Sequence, residues 1–231
     1  MGFTIAIDGP AASGKGTIAI RLGKALGLPV LDTGLLYRAV GVAVVRSGGS
    51  PDDAAAAARA AETLDVAVLD EAALRDRKAG EAASRVAVHP EVRSALLAFQ
   101  CAFAAREPGA ILDGRDIGTV VASAAPCKIF VTATSETRAR RRHAQLRATG
   151  ESVTYEAILE DILRRDARDG GRAAAPLARA PDAALLDTTD LDIDAAFDAA
   201  LRIVEASRGR WEKSRNQPIP SRRTIDDRGS S

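Results

Sequence analysis

Residues 9–17 combine glycines, a lysine and a hydroxyl side chain in an order suited to binding phosphate. The segment reads Gly9, Pro10, Ala11, Ala12, Ser13, Gly14, Lys15, Gly16, Thr17. Glycines let the backbone N–H groups of such a turn approach phosphate oxygens, and the lysine can reach the same anion as a point charge. The spacing therefore predicts a loop that holds a polyphosphate.

The chain around this loop predicts a strand before it and a helix after it. Residues 3–7 form an apolar run typical of a buried parallel strand, and apolar residues recur at helical spacing over residues 18–26, where Gly27 ends the pattern. A helix in this position directs the positive end of its dipole at the bound anion. Because Gly16 separates the lysine from Thr17, we expect the Thr17 hydroxyl to contact a phosphate rather than to ligate Mg²⁺ directly.

Polar side chains also follow two later predicted strands. Thr33 and Tyr37 lie four residues apart on a predicted helix, next to Arg38. Arg115 and Asp116 occupy the turn that ends another apolar run. Ligands bind at the carboxyl edge of open parallel sheets, so these side chains could hold a small phosphorylated molecule beside the loop. A capped helix with a surface arginine and a salt-bridged turn are the alternatives.

Two sets of charged residues at helical spacing form a third chemical feature. They are Arg138, Arg141 and Arg142, and further on Arg165, Asp169 and Arg172. Arginines stacked on one helix face without carboxylate partners repel one another, which favours a site that a polyphosphate neutralises. A solvated, charged helix face is the alternative.

Strand patterns alternate with helical patterns along the chain. The strand candidates are residues 3–7, 29–31, 110–112, 128–131 and 184–186, and the later helix candidates are residues 91–106, 135–149, 154–168 and 193–206. This alternation predicts an α/β fold in three layers, with a central parallel sheet and helices on both faces. Residues 50–90 predict a mostly helical insert, whereas the polar residues 209–231 predict a disordered tail.

The composition excludes several classes of function. The net charge of +1 predicts neither nucleic-acid nor membrane binding. No apolar run has the length of a membrane span, and the first residues do not form a signal peptide. Two cysteines and two histidines are too few for a disulfide framework or a His/Cys metal cluster. These features predict a cytoplasmic protein.

Taken in order, these motifs resemble the bacterial cytidylate kinases, which belong to the P-loop nucleoside monophosphate kinases. The resemblance extends through most of residues 3–206. It rests on residues 9–17, on Leu31-Asp32-Thr33-Gly34 with Tyr37-Arg38, on Ser84 followed by Pro90-Glu91-Val92-Arg93, on residues 113–119, on Glu136 with Arg138, Arg141 and Arg142, and on Arg165-Asp166 with Asp169 and Arg172.

The resemblance implies a three-layer P-loop kinase fold with an acceptor-binding insert and an arginine-rich lid. The core would comprise residues 1–49, 107–149 and 176–208, the insert residues 50–106 and the lid residues 150–175. The acceptor or the transferring phosphoryl group would be bound by Thr33, Tyr37, Arg38, Ser84, Arg93, Arg115, Asp116, Arg165, Asp169 and Arg172. Arg115, Asp116 and Asp169 would recognise the cytosine and the sugar. The catalytic residues would be Lys15, Arg141, Arg165 and Arg172.

The implied activity is transfer of the γ-phosphoryl group of ATP to CMP and dCMP. No general base is needed, because the acceptor phosphate is already ionised at neutral pH. ATP and Mg²⁺ are the expected cofactors; no residue is assigned as a direct metal ligand, and Asp8, Asp32 and Asp113 are candidates to orient waters bound to Mg²⁺. The expected partners are these small molecules alone, and the protein is expected to be a monomer. The alternatives are a P-loop kinase for UMP, shikimate or dephospho-coenzyme A, and a nucleotide-binding module without turnover.

Overall fold

A five-stranded parallel sheet forms the centre of the fold in the computed structural model, which describes residues 2–66, 69, 74 and 76–216. The strands are β1 (Ile5–Asp8), β2 (Val30–Asp32), β3 (Ile111–Gly114), β4 (Cys127–Thr132) and β5 (Ala184–Asp187). Their order across the sheet is β2-β3-β1-β4-β5, and each neighbouring pair is parallel. The chain therefore runs first to one side of β1 and later to the other, so the loop after β1 lies at the middle of the carboxyl edge.

Helices connect these strands. They are α1 (Lys15–Leu26), α2 (Thr33–Arg46), α3 (Ala54–Glu62), α4 (Arg77–Val86), α5 (Pro90–Ala104), α6 (Ser135–Ala148), α7 (Tyr155–Gly170) and α8 (Ile193–Arg215), with a π-helical turn at Ile117–Val121. The predicted α/β fold is confirmed. The predicted strands and helices end within two residues of the observed ones, except at the end of α8.

The alternation of side chains along β1 explains the three layers. Ile5 and Ile7 belong to a buried cluster with residues of α1 and α8, whereas Ala6 belongs to a cluster with residues of α5 and the π-helical turn. Successive strand residues point to opposite faces of a sheet, so a strand covered on both faces must be apolar throughout. β1 is fully buried for this reason.

A second apolar cluster joins the insert to α2. Val40 and Val44 of α2 pack with Ala57 of α3, Val86 of α4 and Val92 of α5. The described residues between 50 and 90 contain α3 and α4. Among the described residues, no helix is both long and apolar enough to cross a membrane.

The predicted start of a disordered tail at residue 209 is wrong, because α8 continues to Arg215. The physical reason is that this polar segment contains one aromatic residue, Trp211, which packs against the rest of the fold. The Trp211 ring packs against the Phe3 ring with centroids 5.4 Å apart, and the Arg208 guanidinium lies 5.0 Å from the Phe3 centroid. Burial of these rings offsets the entropy lost in ordering another two turns of helix. The rest of the predicted tail, residues 217–231, lies outside the described residues.

Replacing Trp211 by alanine is expected to lower the free energy of unfolding by about 1–2 kcal/mol, because a half-buried aromatic contact is lost. Chemical denaturation of the full chain measures the effect. The matched control is Glu212→Ala, which changes an exposed residue of the same helix and is expected to leave stability unchanged. Equal stability of the two variants would contradict the role given to Trp211.

Candidate active site

The phosphate loop connects β1 to α1 and approaches β4 closely at its first residue. A Cβ atom added to Gly9 would lie 2.0 Å from the carbonyl oxygen of Val131, so only glycine fits there. Lys15 is the first residue of α1, and the first turn of this helix contains no acidic residue. Its N–H groups and dipole therefore favour an anion at this end.

One buried hydroxyl in the loop also points to a ligand. Within the part of the chain that the structure describes, the Ser13 side-chain oxygen is buried and has no hydrogen-bond partner. The carbonyl group of the same residue accepts a hydrogen bond from Thr188, whose Oγ1 lies 3.0 Å away. Sequence reasoning missed Thr188, although its position directly after β5, at the carboxyl edge of the sheet, was a usable signal.

The arginines of α6 do not form the unpaired face that the sequence predicts. Arg138 is buried and donates to both carboxylate oxygens of Asp166, so the expectation that it is unpaired is wrong. Asp166 lies on α7, and no local spacing in the sequence shows that the two helices meet. Arg141 instead lines the cleft and donates to Thr188 Oγ1 at 2.9 Å and to the Leu191 carbonyl at 3.1 Å. Arg142 lines the same cleft.

A carboxylate lies next to the loop lysine. The distance from Lys15 Nζ to Asp113 Oδ1 is 3.6 Å, and both side chains are buried. Burial raises the pKa of Asp113 to about 6 even though the lysine opposes the shift. Burial, and then the charge of Arg115, lower the pKa of Lys15. This pair therefore holds its charges in a poorly hydrated site.

The residues at this point fit Mg²⁺. Asp113 Oδ1 is buried without a hydrogen-bond partner among the described residues, and Asp32 and Thr17 line the cleft beside it. The described residues contain no group of three or more His, Cys, Asp or Glu that could hold a metal alone. Mg²⁺ typically retains several waters and is bound by one or two carboxylates together with substrate phosphates. The donor set suits that mode of binding.

Asp8, a predicted candidate to orient Mg²⁺-bound waters, instead holds a turn of the backbone. Its two carboxylate oxygens accept hydrogen bonds from the backbone N–H groups of Ile117 and Gly118, each at 2.7 Å. Burial raises the pKa of Asp8 to about 6, and these two hydrogen bonds oppose the shift. Asp8 is therefore occupied in fixing the turn that carries Arg115 and Asp116, which leaves Asp32 and Asp113 as the candidates to orient waters.

Residues of α2 line the part of the cleft where the sequence predicts acceptor binding. The Thr33 hydroxyl is buried and donates to the Asp113 carbonyl at 2.8 Å, so it joins α2 to β3. The Tyr37 ring centroid lies 5.9 Å from the guanidinium of Arg93, and Arg93 forms a buried ion pair with Asp116. Burial raises the pKa of the Tyr37 phenol above its ordinary value. The Tyr37 ring and the Arg93–Asp116 ion pair therefore lie together on one wall of the cleft.

Asp169 is the centre of a second buried charge cluster. It accepts a hydrogen bond from Arg115 Nε at 3.1 Å and forms an ion pair with Arg172, and Ser84 Oγ lies 3.5 Å from it. Burial alone would raise the pKa of Asp169, but the charges of Arg115 and then Arg172 hold it below its ordinary value. The carboxylate is thus ionised and fixes two guanidinium groups from different elements.

Arg165 lies beside this cluster with its Nε buried and without a hydrogen-bond partner among the described residues. Burial, and then the charge of Arg115, lower the pKa of Arg165 to about 10. Arg38 approaches from α2 and donates to the Leu74 carbonyl at 2.9 Å. A Cβ atom added to Gly80 would lie 3.4 Å from Arg165 Nη1 and 3.5 Å from Arg38 Nη1, so both guanidinium groups converge over that glycine. Such an arrangement favours an anionic ligand.

The two halves of the site face one cleft of about 1350 Å³. All of the predicted acceptor-side and catalytic residues line it, as do residues 11–17, whereas Gly9 and Pro10 do not. Sequence reasoning missed the apolar side chains at the loop end of the cleft, which include Ile20, Leu191 and Ile193. Ile193 is 63% exposed. An exposed apolar side chain at the rim of a polar cleft is suited to contact with a flat ring of a ligand.

Solved structures with this fold include a gluconokinase from Sinorhizobium meliloti 1021. Its TM-score is 0.50 at 15% identity, with 93% of this chain and 99% of that chain covered. An uncharacterized protein from Eubacterium ventriosum ATCC 27560 gives a TM-score of 0.53 at 16% identity, with 88% and 99% covered. At such low identity these likenesses show the fold alone.

Similarity in sequence goes further. The family model of cytidylate kinase matches residues 5–206. The cytidylate kinase of Caulobacter vibrioides (strain NA1000 / CB15N) is 62% identical over 210 residues, which cover 91% of this chain and 99% of that protein. The cytidylate kinase of Xanthobacter autotrophicus (strain ATCC BAA-1158 / Py2) is 62% identical over 206 residues, with 89% and 99% covered. A match of this extent and identity places the chain in the cytidylate kinase family.

Proposed function

We propose that this protein transfers the γ-phosphoryl group of ATP to CMP and dCMP. The observation that carries the proposal is one cleft with an anion-binding group at each end: the phosphate loop with Lys15, and the arginines around Asp169. A donor and an acceptor phosphate bound at these two ends would face each other across the cleft. Phosphoryl transfer depends mainly on such positioning and on charge neutralisation.

The donor end of the cleft supplies a phosphate cradle and an apolar rim. The loop N–H groups and Lys15 bind the β- and γ-phosphates, and Arg141 adds a positive charge on the same side. Leu191 and Ile193 offer apolar contact to the base of ATP. ATP therefore binds along α1, with its phosphates at the start of that helix.

The acceptor end supplies charges of both signs. Arg38, Arg93 and Arg165 bind the acceptor phosphate, because the cleft places guanidinium groups of three different elements there. Asp116 and Asp169, held by their arginine partners, accept hydrogen bonds from the amino group of cytosine and the sugar. No residue acts as a general base, since the attacking phosphate oxygen is already ionised.

Mg²⁺ bound with ATP neutralises charge on the phosphates. On this chain Asp32 and Asp113 would hold it through waters, and the Thr17 hydroxyl lies on the same side. Lys15 keeps the Asp113 carboxylate within reach through their ion pair.

Replacing Asp113 by asparagine is expected to lower kcat/KM for MgATP by about 10–100-fold at pH 7.5, because a positioning carboxylate for the cation is lost. The ratio of the wild-type kcat/KM to the variant kcat/KM should decrease as the pH falls through about 6, because the Asp113 carboxyl then takes up a proton and becomes neutral. Steady-state kinetics of both proteins between pH 5 and 8 measure this ratio, in which the titration of the nucleotide phosphates cancels. A ratio that does not change with pH would contradict the role of the Asp113 charge.

An acceptor panel tests the proposed function directly. ADP production from MgATP is measured with CMP, dCMP, UMP, AMP, GMP, shikimate and dephospho-coenzyme A, each alone, and without acceptor. Fast turnover with CMP and dCMP, slower turnover with UMP and almost none with the others is expected. Fast turnover with another acceptor would overturn the proposal in favour of a different P-loop kinase. Tight ATP binding without turnover on any acceptor would instead identify a nucleotide-binding module.

We also propose that the chain acts as a monomer in the cytoplasm, where its nucleotide substrates are found. The division into a core, an insert at residues 50–106 and a lid at residues 150–175 remains part of this proposal. In this division, two ion pairs join α4 of the insert to α7 of the lid, Arg77 with Asp161 and Arg168 with Glu81.

A further inference from the structure

Arg138 contacts three separate parts of the fold with one side chain. Its Nε donates to the Ala133 carbonyl at 2.9 Å, and its Nη1 donates to the Ala11 carbonyl in the phosphate loop at 3.2 Å. Its two terminal nitrogens also donate to the carboxylate of Asp166, at 3.0 and 2.5 Å. A guanidinium group suits this set of acceptors, because its N–H donors point in fixed directions. Arg138 therefore joins the end of β4, the phosphate loop and α7.

The loop carbonyl that Arg138 contacts precedes a residue in an unfavourable conformation. Ala12 has a φ of +61°, in the left-handed region that residues with a Cβ rarely adopt. Its side chain packs against an apolar cluster of α6 and α7 that includes Ala139 and Ile158. Backbone strain of this kind persists only where the surroundings hold it. The contacts of α6 and α7 thus determine the shape of the phosphate loop.

The contact between Arg138 and Asp166 connects the phosphate loop to the helix that carries proposed acceptor-binding residues. It is adjacent to Arg165 and three residues before Asp169, and all three lie on α7. A helix moves as a unit, so a bond to Asp166 fixes the position of the whole acceptor-side face of α7. The guanidinium of Arg138 consequently sets how far the phosphate loop lies from the residues that bind the acceptor.

We propose that Arg138 and Asp166 are positioning residues that hold the phosphate loop and α7 in register for phosphoryl transfer. The inference rests on the proposed function, since it assumes a donor at the loop and an acceptor at α7. Neither residue lines the cleft, so neither touches a substrate. Misplacement of reacting groups by about 1 Å can reduce a rate by about 10²-fold. Loosening this contact should therefore affect turnover more than the binding of either substrate.

The test compares Arg138→Lys and Asp166→Asn with the wild type in full steady-state kinetics with MgATP and CMP. Each variant is expected to lose about 10–100-fold in kcat with little change in either KM. The double variant is expected to lose no more than the worse single variant, because both changes break the same contact. Asp166→Asn keeps the test informative if Arg138→Lys does not fold, since Asp166 is only half-buried.

Two matched controls lie on the same helices. Arg140→Lys on α6 and Arg164→Lys on α7 change exposed arginines that also have side-chain partners, and both should leave kcat unchanged. Folded variants of Arg138 and Asp166 that show only a lower melting temperature, with wild-type kcat, would overturn the inference. Additive losses in the double variant would also overturn it. The wild-type rate with CMP in the same assay tests the proposed function separately, so failure of one is distinguishable from failure of the other.

Discussion

Replacing Lys15 by alanine is expected to lower kcat by about 10²–10³-fold, the loss typical of removing one preorganised charge at a reacting oxyanion. The side chain is buried at the start of α1, and the nearest fixed charge of opposite sign is Asp113. The rate therefore falls because the attraction between the Lys15 ammonium and the phosphate oxygens of ATP is lost.

The fold is expected to survive this substitution. The pKa of Asp113 is already about 6 in the presence of the lysine, so the isolated carboxyl can take up a proton and avoid a buried charge. ADP production and thermal unfolding of Lys15→Ala are measured together. Lys24→Ala is the control, because Lys24 is exposed on the same helix. A folded Lys15→Ala protein with near-normal turnover would refute the role given to Lys15.

Among substitutions at the acceptor end of the cleft, Asp169→Ala is expected to lower stability and CMP binding the most. The change leaves Arg115 and Arg172 without their buried carboxylate partner, which typically costs about 3–5 kcal/mol of stability. Because the pKa of Asp169 is lowered in the folded protein, its stabilising contribution is present at neutral pH and is lost as the pH falls through that lowered value. The effect should therefore be measured near pH 7.

The same variant is expected to raise the KM for CMP by about 30-fold or more, which corresponds to about 2 kcal/mol of lost binding. The KM for ATP should change much less, because Asp169 lies on α7 and not in the phosphate loop. Glu160→Ala is the matched control: it removes an exposed carboxylate from the same helix, away from the cleft, and should change neither KM. Equal increases in both KM values would show that Asp169 supports the whole cleft and not the acceptor site.

The sequence by itself determined the order of elements and the edge at which the site lies. The loop at residues 9–17 is recognisable because its chemistry is local: glycines, a lysine and the start of a helix are adjacent in the chain. Thr33, Arg115 and Thr188 all follow parallel strands directly, and parallel strands end at one edge. Placement of the acceptor-side residues in one cleft with the loop follows from the same rule.

The tertiary structure alone decided which charges are partners. Asp8 could orient a metal-bound water or fix a turn, and only the position of the Ile117 and Gly118 N–H groups, more than a hundred residues away, selects the turn. Arg138 is likewise paired across 28 residues with Asp166. The continuation of α8 past residue 209 depends on Phe3, at the other end of the chain. Helix and strand patterns are fixed by neighbours a few residues apart, whereas the partner of a buried charge or ring is fixed by how whole elements pack.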